Sequence, residues 1–369
     1  MAPISSMRLF HGAEPVVSIS TNTSGRAEIS PNRFPCITCS IQDARISLRK
    51  LPDHILANSM GCPWNCWGTT VMWGEYWHSI CYYVNPVKKQ LIGFIGQGFI
   101  GKHMADDFEN RGYEVVRYAL EEPYTANKDQ ITKCDITFVA VPTPTTPDGF
   151  DFSIIRSAMP LIGKGKIVVI KSTILPGTTE KLQAEFPDIH VMHSPEFLRE
   201  KSAAEDTAHP ERNIIGVPTE NTAGKVRGGL VLSVLPPAPY SIVTTARNAE
   251  CIKYIGNAFL YAKLVFMNIA HDFTKASGAE WETVRQVVGR DDRIGQDHTQ
   301  VIFDNGRGAG GHCFIKDFEA LLELYETTTT DKSGVALLKA FRNKNNQLLL
   351  ESNKDIDLLE SVYGKNIPT

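Results

Sequence analysis

The run LIGFIGQGFIGKHMADDFENRG, from Leu91 to Gly112, constrains the fold of this chain more than any other stretch. LIGFIG is a short apolar run of the kind that forms a buried strand. Gly96-x-Gly98-x-x-Gly101 follows at once, with Phe99 and Ile100 in its spacer. KHMADDFEN then carries helical spacing until Gly112 stops it. A strand, a glycine turn and a helix in that order aim backbone N–H groups of the helix start at a phosphate. The glycines permit the tight turn and the close approach of a pyrophosphate. The plainer alternative is a glycine turn that only packs a helix on a sheet.

Further strands are read at YEVVRYAL, ITFVAVP ending at Pro142, KIVVIKS (166–172), HVMHS (190–194) and NIIGVP (213–218). Helical patterns separate several of them. Strands alternating with helices predict an α/β, Rossmann-like, doubly wound parallel sheet over residues 91–245, closed by SIVTT (241–245). From Asn248 apolar residues recur every three or four positions, which predicts one long helix of about thirty residues. They cover more than one face, which predicts a second copy and hence a homodimer. Residues 246–369 therefore read as an all-helical dimerisation domain, with a loop over 289–313 and a further helix from Asp317.

Residues 1–90 differ from the rest. They hold four of the five tryptophans and five of the eight cysteines, with weak periodicity. They read as a poorly ordered extension or a stretch outside the working protein. Cys36-x-x-Cys39 and Cys62-x-x-x-Cys66 invite a zinc reading. The second spacing is loose and Cys81 is left over, so no metal is expected. With 38 basic and 41 acidic side chains, no basic field points to nucleic acid or to an anionic membrane. No apolar run is long enough to span a bilayer, and the N-terminus lacks the apolar core of a secretory signal. A reducing, cytoplasmic compartment is the expectation.

Chemistry-bearing residues gather at predicted strand ends. Ala119 stands where an acid would meet a ribose diol. Glu121 and Glu122 follow it, and a carboxylate there repels a 2′-phosphate, favouring NAD over NADP; both glutamates are otherwise solvated surface. Thr143 and Thr145 in VPTPT, and Ser172 and Thr173 in KST, set hydroxyls outside carboxyl ends of strands, where ligands bind. SPEFLRE places Glu196 and Glu200 four residues apart, on one face if the turn is helical, where one could act as a base; the helix dipole alone would also explain acids there. Lys253-x-x-x-Asn257 puts an amine and an amide on one helix face, able to stabilise an oxyanion. In GAGGHCFIKD, glycines leave the backbone bare beside Cys313, with Lys316 and Asp317 within a turn. That is how a chain presents a nucleophile, although a buried, inert cysteine at a bend has the same pattern.

In order, GFIGQGFIG, AVPTPT, KSTILPGTT, SPEFLRE, KYIGNAF and GAGGHCFIKD closely resemble the UDP-glucose/GDP-mannose 6-dehydrogenase family, which oxidises nucleotide sugars. The resemblance runs from about Leu91 to Asp317. His312 is similar to the branch acting on N-acetylated sugars, while SPEFLRE and the Lys-Asp pair look more like the UDP-glucose branch, which is favoured. The resemblance implies two hydride transfers to NAD, through a Cys313 thiohemiacetal and then a thioester. It implies that Lys253 and Asn257 hold the C6 oxygen, and that Asp317 and Thr173 position water or accept a proton. Glu200 would assist hydrolysis near the nicotinamide. Lys316 would contact the cofactor. Glu196, Phe197, Leu198 and Arg199, with residues 302–306 (Asn305 and Gly306 among them) and Gly310, would line the sugar nucleotide. The family usually continues into a third domain, and about fifty residues after Asp317 are too few for one; a short form lacking that domain is expected. The alternatives are a two-electron β-hydroxyacid-type dehydrogenase, which needs no cysteine, and a catalytically impaired nucleotide-binding protein.

Overall fold

The computed structural model describes residues 89–369 and, ahead of them, the backbone of five short strands: Ser6–His11, Glu14–Thr21 and Ala27–Glu28 in one antiparallel sheet, Trp67–Trp73 and Tyr76–Tyr82 in another. Most of the stretch expected to be a poorly ordered extension, including Cys36, Cys39, Cys62 and Cys66, lies outside the described residues. Met1–Val87 and Lys88–Thr369 are separate compact units. The second carries every site residue named above.

Seven strands make its sheet: β1 (Ile92–Ile95), β2 (Val115–Tyr118), β3 (Ile136–Val139), β4 (Ile167–Ile170), β5 (His190–His193), β6 (Arg212–Val217) and β7 (Tyr240–Thr245). They lie in the order β7-β6-β5-β4-β3-β1-β2. β1, β3 and β4 are buried along their whole length, as strands covered on both faces must be. One face packs on α1 (Phe99–Asn110) and α5 (Thr222–Val234), with Phe94, Phe108 and Phe138 in mutual ring contact at 5.3–5.5 Å. The other packs on α2 (Ser153–Ala158) and α3 (Thr178–Glu185) through Ile155 and Leu182.

Strand order reverses around β1, since β2 lies on one side of it and β3 on the other. The carboxyl ends of β1 and β3 therefore flank the crevice where such sheets take ligands. The Rossmann-like, mostly parallel sheet is as expected, with one departure. The sheet is not parallel throughout, because β5 and β6 meet antiparallel at His193 and Gly216. Their connection carries only a short helix, α4 (Ala203–Ala208), which packs on α1 instead of crossing the sheet. An antiparallel neighbour needs no crossover. Between β2 and β3, Tyr124–Lys133 is a 3₁₀ helix.

The helical part begins with α6 (Ala246–Ala276), capped by Thr245, whose hydroxyl accepts from the Asn248 N–H at 3.2 Å. α7 (Trp281–Val288), α8 (Gly311–Thr328), α9 (Lys332–Glu351) and α10 (Ile356–Tyr363) follow. Tyr261 of α6 stacks on Phe318 of α8 at 3.9 Å. The predicted loop to residue 313 is too long: α8 starts at Gly311, so Cys313 sits in its first turn. GAGG carries no capping side chain to reveal a helix start. The acceptor for the Gly311 N–H is Asp355, 44 residues downstream.

Candidate active site

The turn after β1 is built by steric necessity. Gly96 has φ +91°, and a Cβ there would lie 2.2 Å from the Ala140 carbonyl oxygen. A Cβ on Gly101 would lie 2.0 Å from the Gly96 oxygen. Gly98, the residue before α1, has nothing within 4 Å on that side, and no side chain caps the helix. The backbone at Gly98 is thus open beside the uncapped start of α1, and the cradle fits a pyrophosphate. Phe99 is exposed and Ile100 half-buried beside it. Past β2, Ala119 is buried while Glu121 and Glu122 are exposed.

Hydroxyls at the next strand ends fasten loops together. Thr143 donates to the Thr173 carbonyl at 2.8 Å, and Thr145 to the Lys316 carbonyl at 3.2 Å. A cleft of about 290 Å³ opens beside them, with Thr143, Pro144, His312, Lys316, Leu358 and Val362 among its walls.

α6 and α8 bring the remaining groups. Asp317 is buried, and both its oxygens are engaged: Asn257 Nδ2 donates to one at 2.6 Å and Lys316 Nζ to the other at 2.5 Å. Burial pushes the Lys253 pKa below the ordinary lysine value, while Asp317, Cys313 and Glu196 pull it up. Those three groups therefore sit within electrostatic reach of Lys253. The Phe197 ring centre lies 5.3 Å from Lys253 Nζ. Of the described cysteines, Cys134 is buried with its thiol pushed up to about 12, chiefly by desolvation; Cys251 is half-buried and Cys313 is exposed. Exposure separates the reactive candidate from an inert one.

Three groups at the site escaped the sequence reading. Lys171, buried, pairs with Glu196 at 3.0 Å and donates to Ser194 Oγ at 3.0 Å. Glu196, expected as a substrate contact or, with Glu200, as a base, thus belongs to the charged cluster. Glu250, one turn before Lys253, is fully buried. It accepts from the Gly177 N–H at 2.6 Å, the Thr179 N–H at 2.9 Å and the Thr179 hydroxyl at 2.6 Å. It pins α6 to the start of α3; burial raises its pKa against those hydrogen bonds. His193 is fully buried, with no hydrogen-bond partner on either ring nitrogen among the described residues. Desolvation, then Lys171 and Lys253, lower its pKa to about 3, against the backbone of Ile170, which raises it. Glu250 carried one signal, its three-residue spacing from Lys253, and Lys171 another, its place in KST at a strand end; His193 carried none.

Other predicted residues lie at the margins. Glu200 opens a 3₁₀ turn, and its side chain is outside the described residues. Leu198 is half-buried. Arg199 is exposed and grips Asp206 through two bonds, at 2.7 and 3.1 Å. Asn305 is exposed with φ 61°, in a turn closed by paired Phe303 and Gly306 backbones. Gly306 is buried against Lys354, and Gly310 precedes α8. Among the described residues no three His, Cys, Asp or Glu could hold a metal ion, and no helix is long and apolar enough to cross a membrane.

Comparison with known proteins gives this geometry its relatives. The NAD-binding domain of the UDP-glucose/GDP-mannose dehydrogenase family matches residues 121–228, and the family's central domain matches 247–347. The glycine turn lies ahead of the first match. The chain is 35% identical over 257 residues to the UDP-glucose 6-dehydrogenase YwqF of Bacillus subtilis, which covers 66% of this chain and 56% of that protein. It is 30% identical over 312 residues to the UDP-glucose 6-dehydrogenase of Rickettsia conorii, covering 77% of this chain and 70% of the other. A solved UDP-glucose dehydrogenase from Pyrobaculum islandicum superposes with a TM-score of 0.61 at 28% identity, over 75% of this chain and 72% of that one. The chain spans little more than half the length of the Bacillus relatives it matches.

Proposed function

Because the chain belongs to the UDP-glucose/GDP-mannose dehydrogenase family, we propose that it oxidises the C6 carbinol of a nucleotide sugar to a carboxylate, with UDP-glucose as substrate and UDP-glucuronate as product. The observation that carries this reading is the convergence of Cys313, Lys253, Asn257 and Asp317 where α6 meets the start of α8. The names of the relatives support the choice of sugar.

NAD, held by the Gly96–Gly101 turn and by Glu121 at its ribose, would supply the hydride acceptor, used twice per turnover. Lys253 and Asn257 donate to the C6 oxygen and favour its negative charge. Burial disfavours the charged amine, so Lys253 takes up the C6 hydroxyl proton as the first hydride leaves. Once C6 is an aldehyde, the Cys313 thiolate adds to it: a C–S bond forms and the carbonyl pair moves to oxygen. The carbon is tetrahedral again and has a second hydride to lose, which an aldehyde by itself does not. Lys253 favours the thiolate as any nearby cation does. Water then attacks the thioester, its proton passing to a carboxylate, and the C–S bond breaks to release the uronate and the thiolate. Asp317 and Thr173 position that water. Glu196, coupled to Lys253 and held by Lys171, is a second carboxylate for this step, with Glu200 four residues on. Lys316 contacts the cofactor at the cleft.

A homodimer is part of the same reading. Ile252, Ile255, Phe259, Phe266, Ile269 and Phe273 are exposed at helical spacing along α6, on a different face from the buried Tyr254 and Tyr261. An apolar stripe of that length fits a second copy of itself. A thiol that must stay reduced supports a cytoplasmic location.

The test is turnover of UDP-glucose by the full chain, with NADH and uronate measured together. Two NADH per uronate are expected, and C313S should bind NAD and sugar nucleotide but release no uronate. Absence of NADH with UDP-glucose, GDP-mannose and N-acetylated relatives would sink the proposal. Full activity in Cys313→Ala would point instead to a two-electron dehydrogenase.

A further inference from the structure

Asp355 lies in the turn between α9 and α10, with φ 54°, an uncommon conformation for a residue with a side chain. An aspartate at that place ordinarily caps its own helix. Asp355 makes no side-chain bond to α10. Its Oδ2 instead accepts from the N–H of Gly311, the first residue of α8, at 2.8 Å. Cys313 is two residues further on. A Cβ at Gly310 would lie 1.9 Å from the same oxygen, so only glycine admits the carboxylate there.

Neighbours from the same stretch hold the loop ahead of the thiol by its backbone. Asn345 accepts from the Ala309 N–H at 2.6 Å and donates to the Ala309 carbonyl at 3.0 Å. Ser352 Oγ accepts from the Arg307 N–H at 3.0 Å, and Lys354 Nζ donates to the Phe303 carbonyl at 3.0 Å. Phe303 to Gly311 is thus fastened at four points by residues 345–355, and Asp355 is the last of them before the thiol.

We propose that Asp355 is a positioning residue for Cys313: its carboxylate fastens the first turn of α8 and sets a negative charge against the helix end that would otherwise favour a thiolate. The functional meaning rests on Cys313 being the nucleophile. A helix N-terminus favours an anion in its first turn, and a carboxylate already bound there opposes a second one. The charged groups around this region are Lys253 on α6, Lys316 and Asp317 on α8, Glu196 after β5, and Lys354 with Asp304 in the loop that it fastens.

The test uses the full chain, with iodoacetamide labelling of Cys313 followed by peptide-resolved mass spectrometry at pH 7, and amide exchange of residues 308–314. Asp355→Asn keeps an acceptor for the Gly311 N–H and removes the charge. Labelling should rise about twofold to fivefold, the range of a charge at a helix end, with exchange unchanged. Asp355→Ala should raise labelling and also speed exchange several-fold. Labelling of Asp355→Asn at the wild-type rate would overturn the proposal, as would wild-type exchange in Asp355→Ala. Labelling reads the thiol whether or not the chain oxidises a sugar. Failure of the proposed activity, judged by absence of NADH release from the wild-type chain with sugar nucleotides, is therefore distinguishable from failure of this inference.

Discussion

His193 offers a quantitative test of how the sheet supports the site. Its pKa falls from 6.5 to about 3, first through burial and then through Lys171 and Lys253. The unfolded chain takes up a proton as pH falls through 6.5, whereas the folded chain does not until about 3. In that window the unfolded state binds more protons, so stability drops with falling pH. For this one group the loss between pH 7 and pH 5 is about 2 kcal/mol. His193→Leu removes the titration at similar volume. Urea unfolding at both pH values, for wild type and variant, isolates the effect as a difference of differences, in which any packing defect common to both cancels. Wild type should lose about 2 kcal/mol more than the variant across the interval. Equal losses would refute the reasoning and mean that the imidazole reaches water or a partner in the folded chain.

Three further outcomes follow from contacts already described. Gly101→Ala forces a Cβ to 2.0 Å from the Gly96 oxygen, so α1 must shift; a cost of about 1–3 kcal/mol and a clear loss of NAD affinity by calorimetry are expected, and unchanged NAD binding would contradict the cradle. Glu250→Ala leaves two buried N–H groups and a hydroxyl without their acceptor, which should destabilise the chain by about 2–5 kcal/mol in urea melts; a change under 1 kcal/mol would deny α6 its anchor. Phe259→Glu with Phe266→Glu should convert a dimer into a monomer by light scattering, and a wild type already monomeric at micromolar concentration would remove the dimer reading.

Local order along the chain was sufficient for much of this. An apolar run, three glycines and a helical pattern determined the strand, turn and helix of Leu91–Gly112. Gly101 is dictated by a contact five residues away, and Gly96 by the end of β3 immediately beside it. Lys253 and Asn257 were legible because a helix repeats every 3.6 residues, and their helix is continuous. Tertiary structure decided the rest. Asp317 is held by Asn257 from 60 residues away, Glu250 reaches 73 residues back to Gly177, and Asp355 supplies from 44 residues downstream the acceptor that the helix of Cys313 lacks in its own sequence. The antiparallel meeting of β5 and β6 depended on a short helix choosing α1 over a crossover. A buried N–H must find an acceptor wherever the fold brings one. Sequence alone therefore named the residues proposed to do chemistry, and packing chose which carboxylates hold them in place.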